Sequence, residues 1–137
     1  MLADMPPGEG DMGEEKTRRI LIVEDSKDMR DIYKSFFKNH SDRYHIDMEK
    51  DAQVALERVK KTPYDLIVLD IIMEPMTGES FLVYARENAS TSKTPIVVVS
   101  VLSEGILRGL KRFERVDFLQ KPITEEQLID AIEKNLG

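Results

Sequence analysis

Leu66-Ile67-Val68-Leu69 is an unbroken aliphatic run that ends on one acid, Asp70, with the turn formers Pro75 and Gly78 soon after. A run with no polar alternation suits a strand buried on both faces, the condition of a parallel sheet with helices on either side. Arg19-Ile20-Leu21-Ile22-Val23 and Ile96-Val97-Val98-Val99-Ser100 have the same character, and Val116–Gln120 reads as a short fifth strand. Tyr44-His45-Ile46-Asp47-Met48-Glu49 instead alternates apolar and polar residues. That is the mark of a strand with one wet face at the edge of a sheet.

Helical spacing fills the gaps between these strands. Met29, Ile32, Tyr33, Phe36 and Phe37 trace one face after Glu24-Asp25-Ser26, with Ser26 or Asp25 as N-cap. Ala52, Ala55, Leu56 and Val59 trace a second helix. Glu79–Asn88 is a third, with Phe81, Leu82 and Ala85 inward. A fourth is expected over Ser103–Phe113, with Ile106, Leu110 and Phe113 on one face; Gly105 and Gly109 weaken it by about 1 kcal/mol each relative to Ala. Thr124-Glu125-Glu126-Gln127 has the pattern of a capping box opening the last helix. Five strands alternating with five helices through right-handed crossovers predict an α/β fold. It is a doubly wound (βα)5 sandwich on a five-stranded parallel sheet, order 2-1-3-4-5, flavodoxin-like.

In a sheet of that order the ligand crevice lies at the carboxyl ends of strands 1 and 3. Glu24, Asp25 and Asp70 meet there. Three carboxylates in one crevice repel each other unless a cation joins them. An all-oxygen donor set favours a hard ion such as Mg²⁺; Mn²⁺ stays open, as does Ca²⁺, although the spacing does not match the calcium loop of an EF-hand. Ser100 ends strand 4 and Lys121 follows strand 5, on the same edge. A free carboxylate beside a cation, an ammonium and a hydroxyl makes a phosphoryl-transfer site. Asp70 is its nucleophile, Lys121 and the cation neutralise the transferring group, and Ser100 donates a hydrogen bond to the product.

Composition narrows the class. The chain has 137 residues and no cysteine, so it is expected to be one domain without disulfides or thiolate metal sites. No apolar run approaches a membrane span and the N-terminus lacks a secretory pattern, so a cytoplasmic location is expected. Net charge is −6, and residues 1–17 hold five of the acids against one lysine. That acidic, Pro/Gly-rich stretch is read as a disordered tail or linker remnant, leaving 18–137 as the folded domain. There is no basic stripe, so no direct nucleic-acid binding is expected, nor a membrane partner.

Glu24-Asp25 after the first strand, Asp70 after the third, Ser100 after the fourth and Lys121-Pro122 after the fifth form an ordered set. On these residues the chain from Thr17 to Leu136 resembles the receiver domain of two-component response regulators, the CheY-like superfamily. The resemblance implies that Asp70 takes a phosphoryl group from a phosphohistidine on a sensor histidine kinase or phosphotransfer protein. It implies that Glu24, Asp25, Asp70 and the backbone carbonyl of Ile72 hold Mg²⁺, and that Lys121 pairs with the phosphoryl group. It also implies that the Lys121–Pro122 peptide is cis and that Ser100 and Phe118 act as a coupled switch. The output would be a changed face made by the fourth helix, fifth strand and fifth helix, also a possible homodimer surface, acting on an unnamed protein target or output domain. The protein would catalyse its own phosphotransfer and slow autodephosphorylation without turning over a metabolite. Four features depart from the family pattern: Pro75 comes one place late in the loop after Asp70, Thr77 stands where an acid is usual, Glu114-Arg115 replaces the Gly-Ala often seen before the fifth strand, and Phe118 lacks the hydroxyl of a tyrosine switch.

Other readings are weaker. A flavin carrier needs a Ser/Thr/Gly-rich phosphate cradle after strand 1, where this chain has Glu24-Asp25-Ser26-Lys27. A metal-dependent phosphatase with an aspartate nucleophile usually sets it after the first strand, in an Asp-x-Asp arrangement absent here. A phosphorylation-independent pseudo-receiver used only for docking would not need the complete acid–serine–lysine set. His40 and His45 receive no role.

Overall fold

The structure is a computed structural model and describes residues 17–71, 77–103, 105 and 108–137. Its strands are β1 (Arg18–Val23), β2 (Tyr44–Glu49), β3 (Leu66–Leu69), β4 (Ile96–Ser100) and β5 (Val116–Gln120). The α-helices described from end to end are α1 (Lys27–Phe37), α2 (Ala52–Lys61), α3 (Gly78–Glu87) and α4 (Glu125–Leu136). All neighbouring strands are parallel, in the order β2-β1-β3-β4-β5.

The aliphatic runs explain the layering. Successive strand side chains point to opposite faces, so each central strand feeds two cores. Leu21, Val23, Ile67, Leu69 and Val98 pack with Ala55, Val59, Phe81 and Leu82 from α2 and α3. Ile20, Ile22, Val68, Val97 and Val99 pack with Tyr33 and Phe37 of α1 and with Leu128 and Ile132 of α4. Residues from Ile20 to Val23, Leu66 to Leu69 and Ile96 to Val99 are at most 1% exposed. β2 and β5, one at each edge, are mostly half-buried.

Side-chain caps set where the helices begin. Ser26, not Asp25, caps α1, its Oγ accepting from the Met29 amide at 3.2 Å. Asp51 accepts from the Gln53 amide at 2.7 Å to open α2. Thr77 caps α3 through the Ser80 amide at 3.2 Å, a use for the residue that departs from the family pattern. The capping box at Thr124 and Gln127 is formed.

The segment expected as the fourth helix differs. Gly105 is α-helical and Arg108–Arg112 is a 3-10 helix, while Glu104, Ile106 and Leu107 lie outside the described residues. The helix-weakening glycines account for the tighter turn, and Leu110 and Phe113, three apart, still share a side. Leu110 is buried, Phe113 packs on the same core, and Arg112 stacks over the Phe113 ring and pairs with Glu79 of α3. Residues 1–16 of the expected tail also lie outside the described residues.

Candidate functional site

Glu24 and Asp25 leave the carboxyl end of β1. The Glu24 amide donates to the Glu49 carbonyl at 2.9 Å, and the Asp70 amide donates to the Val23 carbonyl at 3.1 Å. These two bonds extend the ladders β1–β2 and β1–β3 by one residue and bring the Glu24 and Asp70 backbones side by side. The Ser26 amide donates to Glu24 Oε2 at 3.2 Å, and Arg30 Nη1 of α1 donates to the Glu24 carbonyl at 3.0 Å. Glu24 is 1% exposed and Asp70 7%; Asp25 is exposed.

One carboxylate oxygen from each of Glu24, Asp25 and Asp70 lies within 4.8 Å of the others. Lys121, 97 residues along the chain from Glu24, reaches in from beyond β5. Its Nζ donates to Glu24 Oε1 at 3.1 Å and to Asp70 Oδ2 at 3.3 Å. Its peptide with Pro122 is cis. With three acids and one lysine, the cluster carries two uncompensated negative charges when fully ionised.

Two ionisable groups feel the field at this site. Burial, then the Asp70 charge, raises the Glu24 carboxyl above its ordinary value, and Lys121 only partly offsets them. The buried Tyr33 phenol is pushed well above its ordinary value by burial and then by Glu24 and Asp70. A buried acid whose charge is disfavoured is a place that gains from an added cation. The donor set is all oxygen, so the residues fit a hard divalent ion.

The structure does not draw every expected residue into contact. Ser100 is fully buried at the end of β4; its Oγ accepts from the Leu102 amide at 3.4 Å and its carbonyl accepts from the Lys121 amide at 2.8 Å. Serine and lysine are therefore joined through backbone. Phe118 lies on β5 opposite Val98, half-buried, and packs on the core cluster that Ile71 and Leu102 also border. Ile72 lies outside the described residues.

Three contributors were not identified from sequence. Helical spacing puts Tyr33 on the core face of its helix and says nothing of its nearness to the acids. Arg30 carries no signal beyond its place one turn into α1. Gly78 has the pattern of a turn residue. A Cβ at Gly78 would sit 2.5 Å from the Asp70 carbonyl oxygen and 2.5 Å from Ile71 Cα, so the glycine lets α3 start against the backbone of Asp70.

The profile described as "Response regulator receiver domain" matches residues 20–133. The chain is 36% identical over 110 residues to a protein-glutamate methylesterase/protein-glutamine glutaminase of Caldanaerobacter subterraneus subsp. tengcongensis, covering 78% of this chain and 29% of that protein. It is 30% identical over 115 residues to response regulator ArlR of Staphylococcus epidermidis, covering 82% of this chain and 50% of that protein. Among solved structures, the receiver domain of sensor histidine kinase PA1611 from Pseudomonas aeruginosa matches with TM-score 0.79 at 20% identity, covering 89% of this chain and 99% of that one. That structure has a magnesium ion coordinated in its active-site cleft. At this identity the likeness speaks for the fold. The chain spans half or less of the length of these two curated relatives.

Proposed function

The chain belongs to the response regulator receiver domain family, and on that footing we propose that Asp70 is its phosphoacceptor in a two-component phosphorelay. A phosphorylation-dependent switch is the general function of such domains, which act with histidine kinases or phosphotransfer proteins. An Asp70 carboxylate oxygen attacks the phosphorus of a phosphohistidine on the donor. The P–N bond breaks, the electron pair leaves with the imidazole, and an aspartyl phosphate forms. Lys121, already within hydrogen-bond reach of Asp70, neutralises the oxygens of the transferring group. Glu24, Asp25 and Asp70 are the residues that would hold Mg²⁺ or Mn²⁺. When bound, the ion supplies charge neutralisation at the phosphoryl oxygens. The Ile72 carbonyl is the fourth expected donor.

Ser100 and Phe118 are the proposed readers of the new charge, carrying it to β5 and the helices beside it. The output target, a cytoplasmic location, residues 1–17 as a segment apart from the receiver domain at 18–137, and a homodimer through the β5 side belong to the same proposal. So does the absence of metabolite turnover.

The observation that carries the reading is Lys121 bridging Glu24 and Asp70 beside Asp25. The deciding experiment is intact mass after incubation with acetyl phosphate and Mg²⁺, on the wild type and on Asp70→Asn. One phosphoryl adduct on the wild type alone, blocked by EDTA, supports the assignment. An equal adduct on Asp70→Asn overturns it, and no adduct even with a donor kinase favours the docking-only reading.

A further inference from the structure

The turn from β1 into α1 carries two of the three acids of the site, and its two flanks are tied down. On one side the Glu24 amide donates to the Glu49 carbonyl at 2.9 Å, and Glu24 Oε2 accepts from the Ser26 amide at 3.2 Å. On the other, the Ser26 carbonyl accepts from the Arg30 amide at 2.9 Å. Asp25 lies between them, exposed, and makes no hydrogen bond of its own among the described residues. Its place is therefore set by the backbone around it. The side chain that fixes this backbone is Arg30, whose Nη1 donates to the Glu24 carbonyl at 3.0 Å. That carbonyl belongs to the peptide group joining Glu24 to Asp25. The group is planar, so one guanidinium bond orients the unit from which both residues project.

We propose that Arg30 is a positioning residue for the divalent-cation site, holding the Glu24–Asp25 peptide plane so that both carboxylates converge with Asp70. The role rests on the reading that Glu24, Asp25 and Asp70 hold Mg²⁺, and it adds a residue that bonds to none of their carboxylates. Like charges within 4.8 Å push apart, so each acid needs a restraint before the ion arrives. Glu24 has the Ser26 amide and Lys121, and Asp70 has Lys121. For Asp25 the restraint is the peptide plane, and Arg30 supplies it from a firm base. Its own amide bonds the Ser26 carbonyl, and α1 is packed on the sheet through Tyr33 and Phe37. The turn and the first turn of α1 thus close into one unit.

Charge and positioning predict opposite signs. The three acids and Lys121 sum to −2, and Arg30 is a further cation beside them. If its charge alone mattered, removing it would tighten the binding of a divalent cation. If it positions the ligands, removing it weakens binding. Partners that orient metal ligands are worth about 10–100-fold in affinity. Arg30 orients the main chain of two ligands and no ligand atom directly, so about 10-fold is expected.

The test is Mg²⁺ titration of the full chain, followed by the amide NMR shifts of Glu24, Asp25 and Asp70. Arg30→Met keeps the apolar stem and a similar helix propensity but has no donor. It is expected to bind Mg²⁺ about 10-fold more weakly. Arg30→Lys keeps the charge and one donor on a different stem, and should fall between Arg30→Met and the wild type. The Asp25 amide of metal-free Arg30→Met should shift while those of β3 and β4 do not. Labelling by acetyl phosphate should slow at low Mg²⁺ and recover when Mg²⁺ saturates. Lys34→Met is the control, removing a cation of the same helix that pairs with Asp31 at 4.0 Å. If Arg30→Met does not fold, Arg30→Lys is read alone, and wild-type affinity there overturns the proposal. So does equal or tighter binding in folded Arg30→Met, or an equal loss in Lys34→Met. When the wild type binds Mg²⁺ and Asp25→Asn does not, those outcomes overturn the role of Arg30 and leave the metal site standing. A wild type that binds no Mg²⁺ overturns both.

Discussion

Replacing Gly78 by alanine puts a methyl group where the main chain of the proposed phosphoacceptor already stands. The added Cβ would lie 2.5 Å from the Asp70 carbonyl oxygen, 2.5 Å from Ile71 Cα and 3.0 Å from Ile71 Cδ1, against 3.4–4 Å for an ordinary contact. Two of the three obstacles are main-chain atoms and cannot swing aside. The Gly78 amide is also bonded to the Ile71 carbonyl at 2.9 Å, so α3 and the Asp70–Ile71 segment must separate together. Overpacking costs about 1–3 kcal/mol, and main-chain obstruction puts this site near the top of that range. Alanine's better helix propensity returns at most about 1 kcal/mol. The net loss is about 2 kcal/mol, which for a chain of this size lowers the melting temperature by roughly 6–10 °C. Gly109→Ala is the control, because nothing lies within 4 Å of its Cβ; it should match the wild type or gain up to about 1 kcal/mol. Thermal and urea unfolding of both variants is the assay, with the acetyl phosphate labelling rate as a second readout. A Gly78→Ala protein as stable as the wild type, or a Gly109→Ala protein that loses as much, would refute the reasoning.

Lys121→Ala leaves Glu24 and Asp70 facing each other with no ammonium between them. The rate of adduct formation from acetyl phosphate is expected to fall on the order of 10²-fold, followed by mass spectrometry over time. Asp47 tests acid sensitivity away from the site. Burial alone would raise its carboxyl, but the Tyr64 hydroxyl and the Arg58 and Arg19 guanidiniums outweigh that and hold it below its ordinary value. A lowered folded pKa gives stability that is present above the unfolded value of about 3.8 and is lost as pH falls through the folded value. Asp47→Asn should therefore cost about 2 kcal/mol at pH 7, with the gap to wild type closing below pH 4 in urea titrations. Leu102, two residues after Ser100, is apolar and cannot orient an attacking water, and the same holds for Ile72. The aspartyl phosphate is expected to last minutes or longer, and a decay within seconds in a gel or mass time course would contradict this.

The sheet was legible because burial on both faces demands uninterrupted aliphatic residues. The runs at Ile20, Leu66 and Ile96 could be placed in a central parallel sheet without knowing their neighbours. The wet alternation of Tyr44–Glu49 fixed the edge, and with it the strand order and the crevice between β1 and β3. The acids could be assigned to that crevice because each directly follows a strand end. The helix expected at Ser103–Phe113 was harder to read. Apolar residues three apart satisfy an α-helix and a 3-10 turn alike, and two glycines remove the propensity that would decide. Local pattern also says nothing about contacts across the chain. That Lys121 bridges Glu24 and Asp70, that Tyr33 feels both acids, and that Gly78 abuts Asp70 depend on which strand ends meet. The partners of His40 and His45 were missed for the same reason: His40 pairs with Glu125 at 3.0 Å, 85 residues away, and His45 with Asp47.

The strength of the switch can be bounded from its parts. Taking a two-state domain from almost wholly off to almost wholly on needs about 5.5 kcal/mol of differential interaction. A phosphoryl group on Asp70 carries a charge of about −1.5 to −2. It would draw on Lys121, already paired with Asp70, and on the Ser100 hydroxyl, now bonded only weakly to the Leu102 amide at 3.4 Å. Hydrogen bonds to charged groups contribute about 1.5–3 kcal/mol each, and the Lys121 share is reduced because that pair exists beforehand. The remainder has to come from packing at Phe118, the proposed switch residue, which has no hydroxyl and is half-buried against the core cluster that Leu102 also borders. The inward and outward placements proposed for it would then differ by contact area alone. The domain should therefore respond in a graded way, with the inward Phe118 state already populated before phosphorylation and increased by it. Ring resonances of Phe118 followed by NMR with and without acetyl phosphate measure that population directly. A ring fixed in one state before labelling and wholly in the other afterwards would mean that the site supplies more differential energy than these contacts hold.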